Sequence, residues 1–276
     1  MEFREAGGVV LAGFHQLAAS GLIRHGIASR IGGTSDPPFR GLNLGLRSGD
    51  DPDRVRENRR RFAAALGIDA GQVVAGRQVH GAGIAVVGAD DAGRGAIEAD
   101  TAVADTDALV TDCSGVALLL LVADCTPVLL LDPVRPAIAT VHAGWRGTVR
   151  RIVAETVDRM EATFGTQPAD LIAGIGPVIG PCCYEVDDPV IAGIRAAQPD
   201  DAPDLLKLKP NGRAQLDLAE ANRRQLLRAG VRPERIEVAG ICTACTTALF
   251  YSERREGRPS GRFGALMMID SNGMGT

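Results

Sequence analysis

Apolar residues gather in short, nearly unbroken blocks at positions 83–87, 116–122, 128–131, 137–142, 171–175, 235–240 and 265–269. Blocks this short, several of them apolar at successive positions, predict strands covered on both faces by helices or by a second sheet. Helical periodicity marks three other stretches. Asp51 is placed to cap a helix with Pro52 at its first position and Gly67 at its end. From 148 to 164, Val149, Ile152, Val153, Thr156, Val157 and Met160 recur at helical spacing, and Gly165 supplies the stop. A third helix starts at Asp217 with Glu220 three residues on, the pattern of a capping box, and closes at Gly230. Strands and helices mix without strict βαβ alternation, and no repeat or low-complexity linker divides them. The expectation is a mixed α/β (α+β) fold in a single domain, residues 1–276.

Composition narrows the function classes. Of 276 residues 45% are hydrophobic but only 4% aromatic, so the core must rest on Leu, Val, Ile and Ala. Net charge is −4 with both signs interspersed, which argues against a dedicated nucleic-acid surface. Lysine occurs only at Lys207 and Lys209; the arginine excess reads as coding bias rather than as an anion-binding surface. The longest apolar run, 116–123, is ended by Asp124 and Pro127 and is too short to span a bilayer. The first residues lack the charged, apolar and small-residue regions of a secretion signal, so a cytoplasmic protein is expected. With no such signal, and with Cys182 and Cys183 adjacent, the six cysteines predict thiols rather than a disulfide framework.

Histidine is scarce, with four copies. His80 sits in Gln78-Val79-His80-Gly81 before a predicted strand, and His142 ends another and opens His142-Ala143-Gly144-Trp145-Arg146-Gly147. Cys125 follows the most apolar block, in Ala123-Asp124-Cys125-Thr126-Pro127. Two imidazoles and a thiolate suit tetrahedral zinc with a fourth position left for water or substrate. The gaps of 45 and 17 residues match no short zinc pattern, and on spacing alone structural histidines remain an open reading. Cys242-Thr243-Ala244-Cys245 has the spacing of a zinc or redox pair, but no second pair matches it unless Cys182 and Cys183 contribute. These four are read as buried structural thiols. His15 and His25 have no supporting context.

Taken together, the motifs around His80, Cys125 and His142 resemble the multicopper polyphenol oxidase (laccase-like) family, also described as purine nucleoside phosphorylases and peptidoglycan editing factors. The likeness runs along nearly the whole chain: Ser29-Arg30-Ile31-Gly32-Gly33-Thr34-Ser35, Leu42-Asn43-Leu44-Gly45, Ile175-Gly176-Pro177, Pro181-Cys182-Cys183-Tyr184-Glu185-Val186, Tyr251-Ser252-Glu253-Arg254-Arg255-Glu256-Gly257 and Gly261-Arg262. Two positions depart from it: Glu253 stands where the family usually has an aromatic, and Gly41 where it often has Ser.

The resemblance implies a zinc site of His80, Cys125 and His142 in a layered α/β/β/α sandwich. It also implies phosphorolysis of adenosine, inosine or guanosine, and of methylthioadenosine, together with hydrolytic deamination of adenosine. The older laccase label implies copper, but four histidines cannot furnish several His-rich copper centres, and zinc suits mixed N and S ligands better. Zinc held by three protein ligands lowers the pKa of its water, and the resulting hydroxide is the expected attacker at purine C6. Asp124, beside a ligand, reads equally as proton carrier or as a turn cap. For phosphate, Arg30 with the Gly32-Gly33-Thr34 backbone is a candidate anion nest, and Arg146 heads a helix whose N-terminus favours anions. Asn43 is a candidate ribose contact or a turn residue. The expected partners are small purine nucleosides and phosphate, with the protein a monomer or homodimer. Copper is the less favoured metal but stays open, and with it a copper polyphenol oxidase; two other readings stay open as well. In one, Cys125 is the nucleophile of a hydrolase acting on cell-wall peptides, with His142 or His80 as base. In the other, the protein is non-catalytic and Cys113, Cys182 or Cys242 closes a structural four-ligand site.

Overall fold

The computed structural model describes residues 1–270. In chain order its strands are β1 (Glu2–Ala6), β2 (Val9–Gly13), β3 (Ile23–Ala28), β4 (Val73–Ala75), β5 (Ile84–Val86), β6 (Ala108–Thr111), β7 (Ala117–Val122), β8 (Thr126–Asp132), β9 (Ala137–Ala143), β10 (Ile172–Ile175), β11 (Glu185–Val186), β12 (Leu206–Leu208), β13 (Ala214–Leu216), β14 (Ile236–Val238) and β15 (Phe263–Ile269). The helices are α1 (His15–Ala19), α2 (Pro52–Ala65), α3 (Trp145–Val149), α4 (Ile152–Phe164), α5 (Asp188–Ala197), α6 (Ala202–Leu205), α7 (Leu218–Arg228) and α8 (Glu253–Glu256). Two mixed six-stranded sheets carry the fold, ordered β1-β2-β3-β15-β7-β4 and β14-β10-β8-β9-β6-β5. The remaining strands make a small ribbon, β11-β13-β12.

The apolar blocks are continuous because both faces of the central strands are buried. From β7, Leu118, Leu120 and Val122 join Ala265 and Met267 of β15 and meet Leu129 and Leu131 of β8 between the two sheets. The alternate residues Ala117, Leu119, Leu266 and Met268 face outward onto Phe62 and Ala63 of α2. On the far side, Val128, Leu130, Ala139 and Val141 pack against Ile152, Val157 and Met160 of α4 and Leu226 of α7. Helix, sheet, sheet and helix therefore stack in four layers. Each fully buried Leu, Val or Met contributes about 1.5–3 kcal/mol relative to exposure, and this period-two division fixes the register of β7 and β8.

Two helices differ from their sequence reading. The segment 148–164 is divided: α3 ends at Val149, Arg151 takes a left-handed conformation at φ 60°, and α4 begins at Ile152. No Gly or Pro marks the break. Tertiary bonds hold it, since Gln225 of α7 donates to the Thr148 carbonyl at 2.7 Å and the Thr148 hydroxyl donates to Asn222 at 3.1 Å. A left-handed non-glycine residue costs roughly 1–2 kcal/mol, which these bonds offset. At the start of α7 only half of the capping box forms. Asp217 accepts from the Glu220 N–H, while the Glu220 carboxylate turns to Arg223 and Arg224. The hairpin β1–β2 escapes sequence reading because β1 is an exposed edge with no buried alternation.

Gly174, in β10, faces the buried Phe14 ring so closely that a Cβ there would overlap it. Gly174→Ala should lower stability by about 1–3 kcal/mol, the usual cost of overpacking, read as an earlier urea midpoint. An unchanged midpoint would contradict this packing.

Candidate metal centre

β8 and β9 pair antiparallel with Thr126 opposite Ala143 and Pro127 opposite His142. This register sets Cys125, just before β8, beside the end of β9. His142 is 3% exposed. His80 arrives from the loop ahead of β5, and its ring meets that of His142 edge-on, 4.8 Å between centroids. One ligand atom from each of His80, Cys125 and His142 lies within 4.8 Å of the others. Gly144 makes room for them: a Cβ there would sit 3.0 Å from the Cys125 sulfur and 3.3 Å from the His80 ring. Two of the backbone positions are strained, His80 at φ 57° and the ligand-adjacent Asp124 at φ 78°. Non-glycine residues hold such conformations only where the surroundings over-determine them.

At His80 the over-determining group is Asp107. Its carboxylate accepts from the backbone N–H groups of Val79, His80 and Gly81 at 3.2, 3.0 and 2.7 Å. The same carboxylate bonds His142 Nδ1 at 2.8 Å. One fully buried side chain thus fixes the His80 loop and leaves His142 Nε2 as the nitrogen free for a metal. Burial pushes the Asp107 carboxyl up, but His142 and the loop N–H donors outweigh it and hold it below the ordinary range. Burial likewise opposes ionisation of Cys125, yet the His142 charge and hydrogen bonds from both imidazoles bring its thiol down to about 6. Burial alone would lower His142; the Cys125 thiolate and Asp107 raise it to about 9. The trio favours a thiolate, the form that binds metal. Two imidazole nitrogens, one thiolate and a carboxylate behind one imidazole suit a borderline ion such as zinc with one position open.

The trio lies in a cavity of about 660 Å³. Arg47, Arg77, Arg146, Arg254, Arg258 and Arg262 line it, with Trp145 and Tyr184. Most of these cations are engaged. Arg47 and Arg77 pair with Asp100 and Asp105, and Glu253 pairs with both Arg258 and Arg262. Glu253, the departure from the family pattern, thus puts an acid in the cavity wall; against burial, the two guanidiniums hold its carboxyl below the ordinary range. Arg254 lies over the Tyr184 ring at 5.1 Å and donates to the Glu185 carbonyl. Arg146 stacks on Trp145 at 4.5 Å, and among the described residues its guanidinium meets no hydrogen-bond acceptor. The helix it opens, α3, has five residues, so the guanidinium rather than a helix dipole is the group that would attract an anion.

The other expected site residues bond to neighbouring segments. Asp124 lines the cavity, but its two carboxylate oxygens accept from the Thr243 hydroxyl at 2.6 Å and the Arg254 N–H at 2.8 Å. Arg30 and Asn43 are not brought to the cavity. Arg30 bonds Glu256 at 2.7 Å and the Thr247 carbonyl at 2.9 Å, and lies over the Tyr251 ring. The Thr34 N–H of the expected anion nest donates to Asn58. Asn43 is fully buried, donating to Ser48 and Asp50 and accepting from Gly45 and Arg262. Gly41, the second departure, sits at φ 107°, where a Cβ would overlap the Arg30 carbonyl. Asp107 escaped the sequence reading because no motif marks it; its partners gather only in the fold.

The sequence model of the multi-copper polyphenol oxidoreductase laccase family matches residues 24–270. The chain belongs to this family. A relative named purine nucleoside phosphorylase YlmD, from Geobacillus stearothermophilus, is 43% identical over 242 residues, 88% of each chain. The purine nucleoside phosphorylase of Deinococcus radiodurans is 42% identical over 245 residues, 89% of this chain and 88% of that one. The crystal structure of the Geobacillus YlmD superposes with a TM-score of 0.92 at 40% identity, covering 97% of this chain and 98% of that one. The crystal structure of the Bacillus licheniformis hypothetical protein YfiH gives 0.91 at 38% identity, covering 97% of this chain and 99% of that one. Of the four histidines only His80 and His142 meet, while the His25 Nε2 accepts from the Phe14 N–H in a pocket that lowers it to about 4.

Asp107→Asn should weaken metal binding about 10–100-fold, the usual effect of losing an outer-sphere partner, measured by chelator competition; unchanged affinity would contradict the role of Asp107. In metal-stripped protein, thiolate absorbance corrected by the Cys125→Ala variant should rise near pH 6. A rise only near the ordinary ~8.5 would show that His142 does not hold the thiolate.

Proposed function

We propose that the chain is a single-domain, zinc-dependent purine nucleoside phosphorylase acting on adenosine, inosine and guanosine, and on methylthioadenosine. The observation that carries the reading is one cavity holding both the His80–Cys125–His142 trio and an arginine, Arg146, that pairs with no carboxylate among the described residues. The names of the relatives support the same substrate class. The cavity's volume falls within the roughly 300–1,000 Å³ of small-molecule sites. Zinc held by His80, Cys125 and His142 would supply Lewis-acid chemistry.

This chain's own residues supply binding and orientation. Trp145 and Tyr184 offer flat faces for a purine, and Arg146 offers a planar donor fork for phosphate. In the reaction a phosphate oxygen bonds to C1′ while the C1′–N9 bond breaks, its electron pair leaving with the base. The products are the sugar 1-phosphate, ribose 1-phosphate or, from methylthioadenosine, its 5-methylthio counterpart, and the free purine, which takes up a proton. Positive charge developing at the sugar is balanced by the incoming phosphate, so the guanidinium must place that phosphate without a competing carboxylate. Arg146 meets this requirement; Arg258 and Arg262, committed to Glu253, do not. Hydrolytic deamination of adenosine to inosine is the second reaction read for the same site.

The placement of Cys125 beside the His80 and His142 imidazoles supports one competing reading, a cysteine hydrolase acting on cell-wall peptides. Metal dependence separates the two, because a hydrolase of that kind works after the metal is stripped.

Zinc-loaded protein given inosine or guanosine with phosphate should release hypoxanthine or guanine, and adenosine should give adenine and inosine. Arg146→Ala should lower kcat/KM for phosphate about 10–100-fold, the scale of one lost charge-assisted hydrogen bond. No free base from any of these nucleosides would overturn the reading. An Arg146→Ala enzyme with unchanged phosphate kinetics would remove Arg146 from it.

A further inference from the structure

A second cluster of ligand-type side chains lies in the fold, and the metal trio makes no use of it. Cys182 and Cys183 stand in the loop between β10 and β11, and Cys242 and Cys245 in the loop between β14 and α8. All four sulfurs lie within 4.8 Å of one another. Cys245 is 3.6 Å from Cys182 and 3.4 Å from Cys183, sulfur to sulfur. These separations are far beyond a disulfide of about 2.05 Å. They are close to the roughly 3.8 Å between sulfurs that tetrahedral zinc imposes with bonds of about 2.3 Å. The Gly180 N–H donates to the Cys242 sulfur at 3.2 Å, the polarity a thiolate requires. A Cβ on Gly180 would come to 3.1 Å from the Cys242 Cβ and 3.4 Å from the Cys182 sulfur, so glycine keeps the turn against the cluster.

We propose that Cys182, Cys183, Cys242 and Cys245 form a second, closed zinc site of four thiolates whose role is structural. Four sulfur donors in tetrahedral array select zinc over harder divalent ions. With no position left for water or substrate, such a site holds chain segments together rather than performing chemistry. The segments it joins are those that build one wall of the cavity. Ile179 and Tyr184 flank the cysteine pair of the first loop and line the cavity, and the Ile179 N–H donates to the Asp124 carbonyl. In the second loop Thr243 holds the Asp124 carboxylate at 2.6 Å. A zinc ion here would staple these two loops against the Cys125 turn from outside. The sequence obscures the site because one half is an adjacent pair and the other a CxxC, some sixty residues apart.

Metal content of the full chain purified with zinc tests the proposal. Two zinc ions per chain are expected in the wild type and one in C182S/C245S, with a lower Tm. The H80A/C125A variant should also keep one. Cobalt placed in that variant should show the strong thiolate-to-cobalt charge transfer of a four-sulfur site. A wild type holding one zinc that C182S/C245S loses supports this site and counts against the trio as a zinc centre. One zinc that C182S/C245S retains overturns the second site. So does a disulfide between the two loops found by mass spectrometry of the unreduced protein.

Discussion

The candidate centre depends on one buried carboxylate. Asp107 gathers three consecutive backbone N–H groups from the His80 loop and the Nδ1 of His142. Without that acceptor, three backbone donors, of which the Gly81 N–H is buried, and a strained residue at φ 57° would lose their common partner, and an unsatisfied buried donor costs about 1–3 kcal/mol. The same contact sets the His142 tautomer, so folding and ligand orientation are settled by one group. Asp107 reaches this place because it leads into β6, which pairs with β9 and so lies beside His142.

A division of labour follows around the cavity. One side is rigid strand, where β8 and β9 hold Cys125 and His142 in register. The other is built from loops tied to Asp124, whose left-handed backbone turns Cys125 inward while its carboxylate grips Thr243 and the first turn of α8. Between them stand arginines in two states. Those paired with Glu253, Asp100 and Asp105 shape the wall, while the guanidinium of Arg146, stacked on Trp145, meets no hydrogen-bond acceptor among the described residues. Charge in this cavity is therefore distributed by partner, and the number of basic residues is a poor guide to anion affinity.

Much of the layered fold was legible because burying both faces of β7, β8, β9 and β15 forces apolar residues into unbroken blocks. Local chemistry also marked α2, whose Asp51 cap accepts from Asp53 with Pro52 at the first position. The break at Arg151 was not legible, since its cause is a set of side chains on α7, more than seventy residues away. At the site, spacing alone marked His80, Cys125 and His142 only faintly; the chain-wide resemblance singled them out, and the fold brings them together. Asp107 had no such mark, one carboxylate among many. Arg30 and Asn43 sit in motifs that resemble the family's, yet their side chains satisfy the backbone and neighbouring loops. A motif can record what the fold needs as readily as what a substrate needs.

The central claim is that a metal held by the His80–Cys125–His142 trio supports phosphorolysis in this cavity. It is tested most directly by adding zinc stepwise to stripped protein while following the transfer of isotopically labelled phosphate to ribose 1-phosphate from inosine. The account predicts labelled product at a rate that rises with occupancy of the trio and levels off when it is filled. Full turnover in the stripped protein, or no labelled sugar phosphate when the trio is filled, would contradict it.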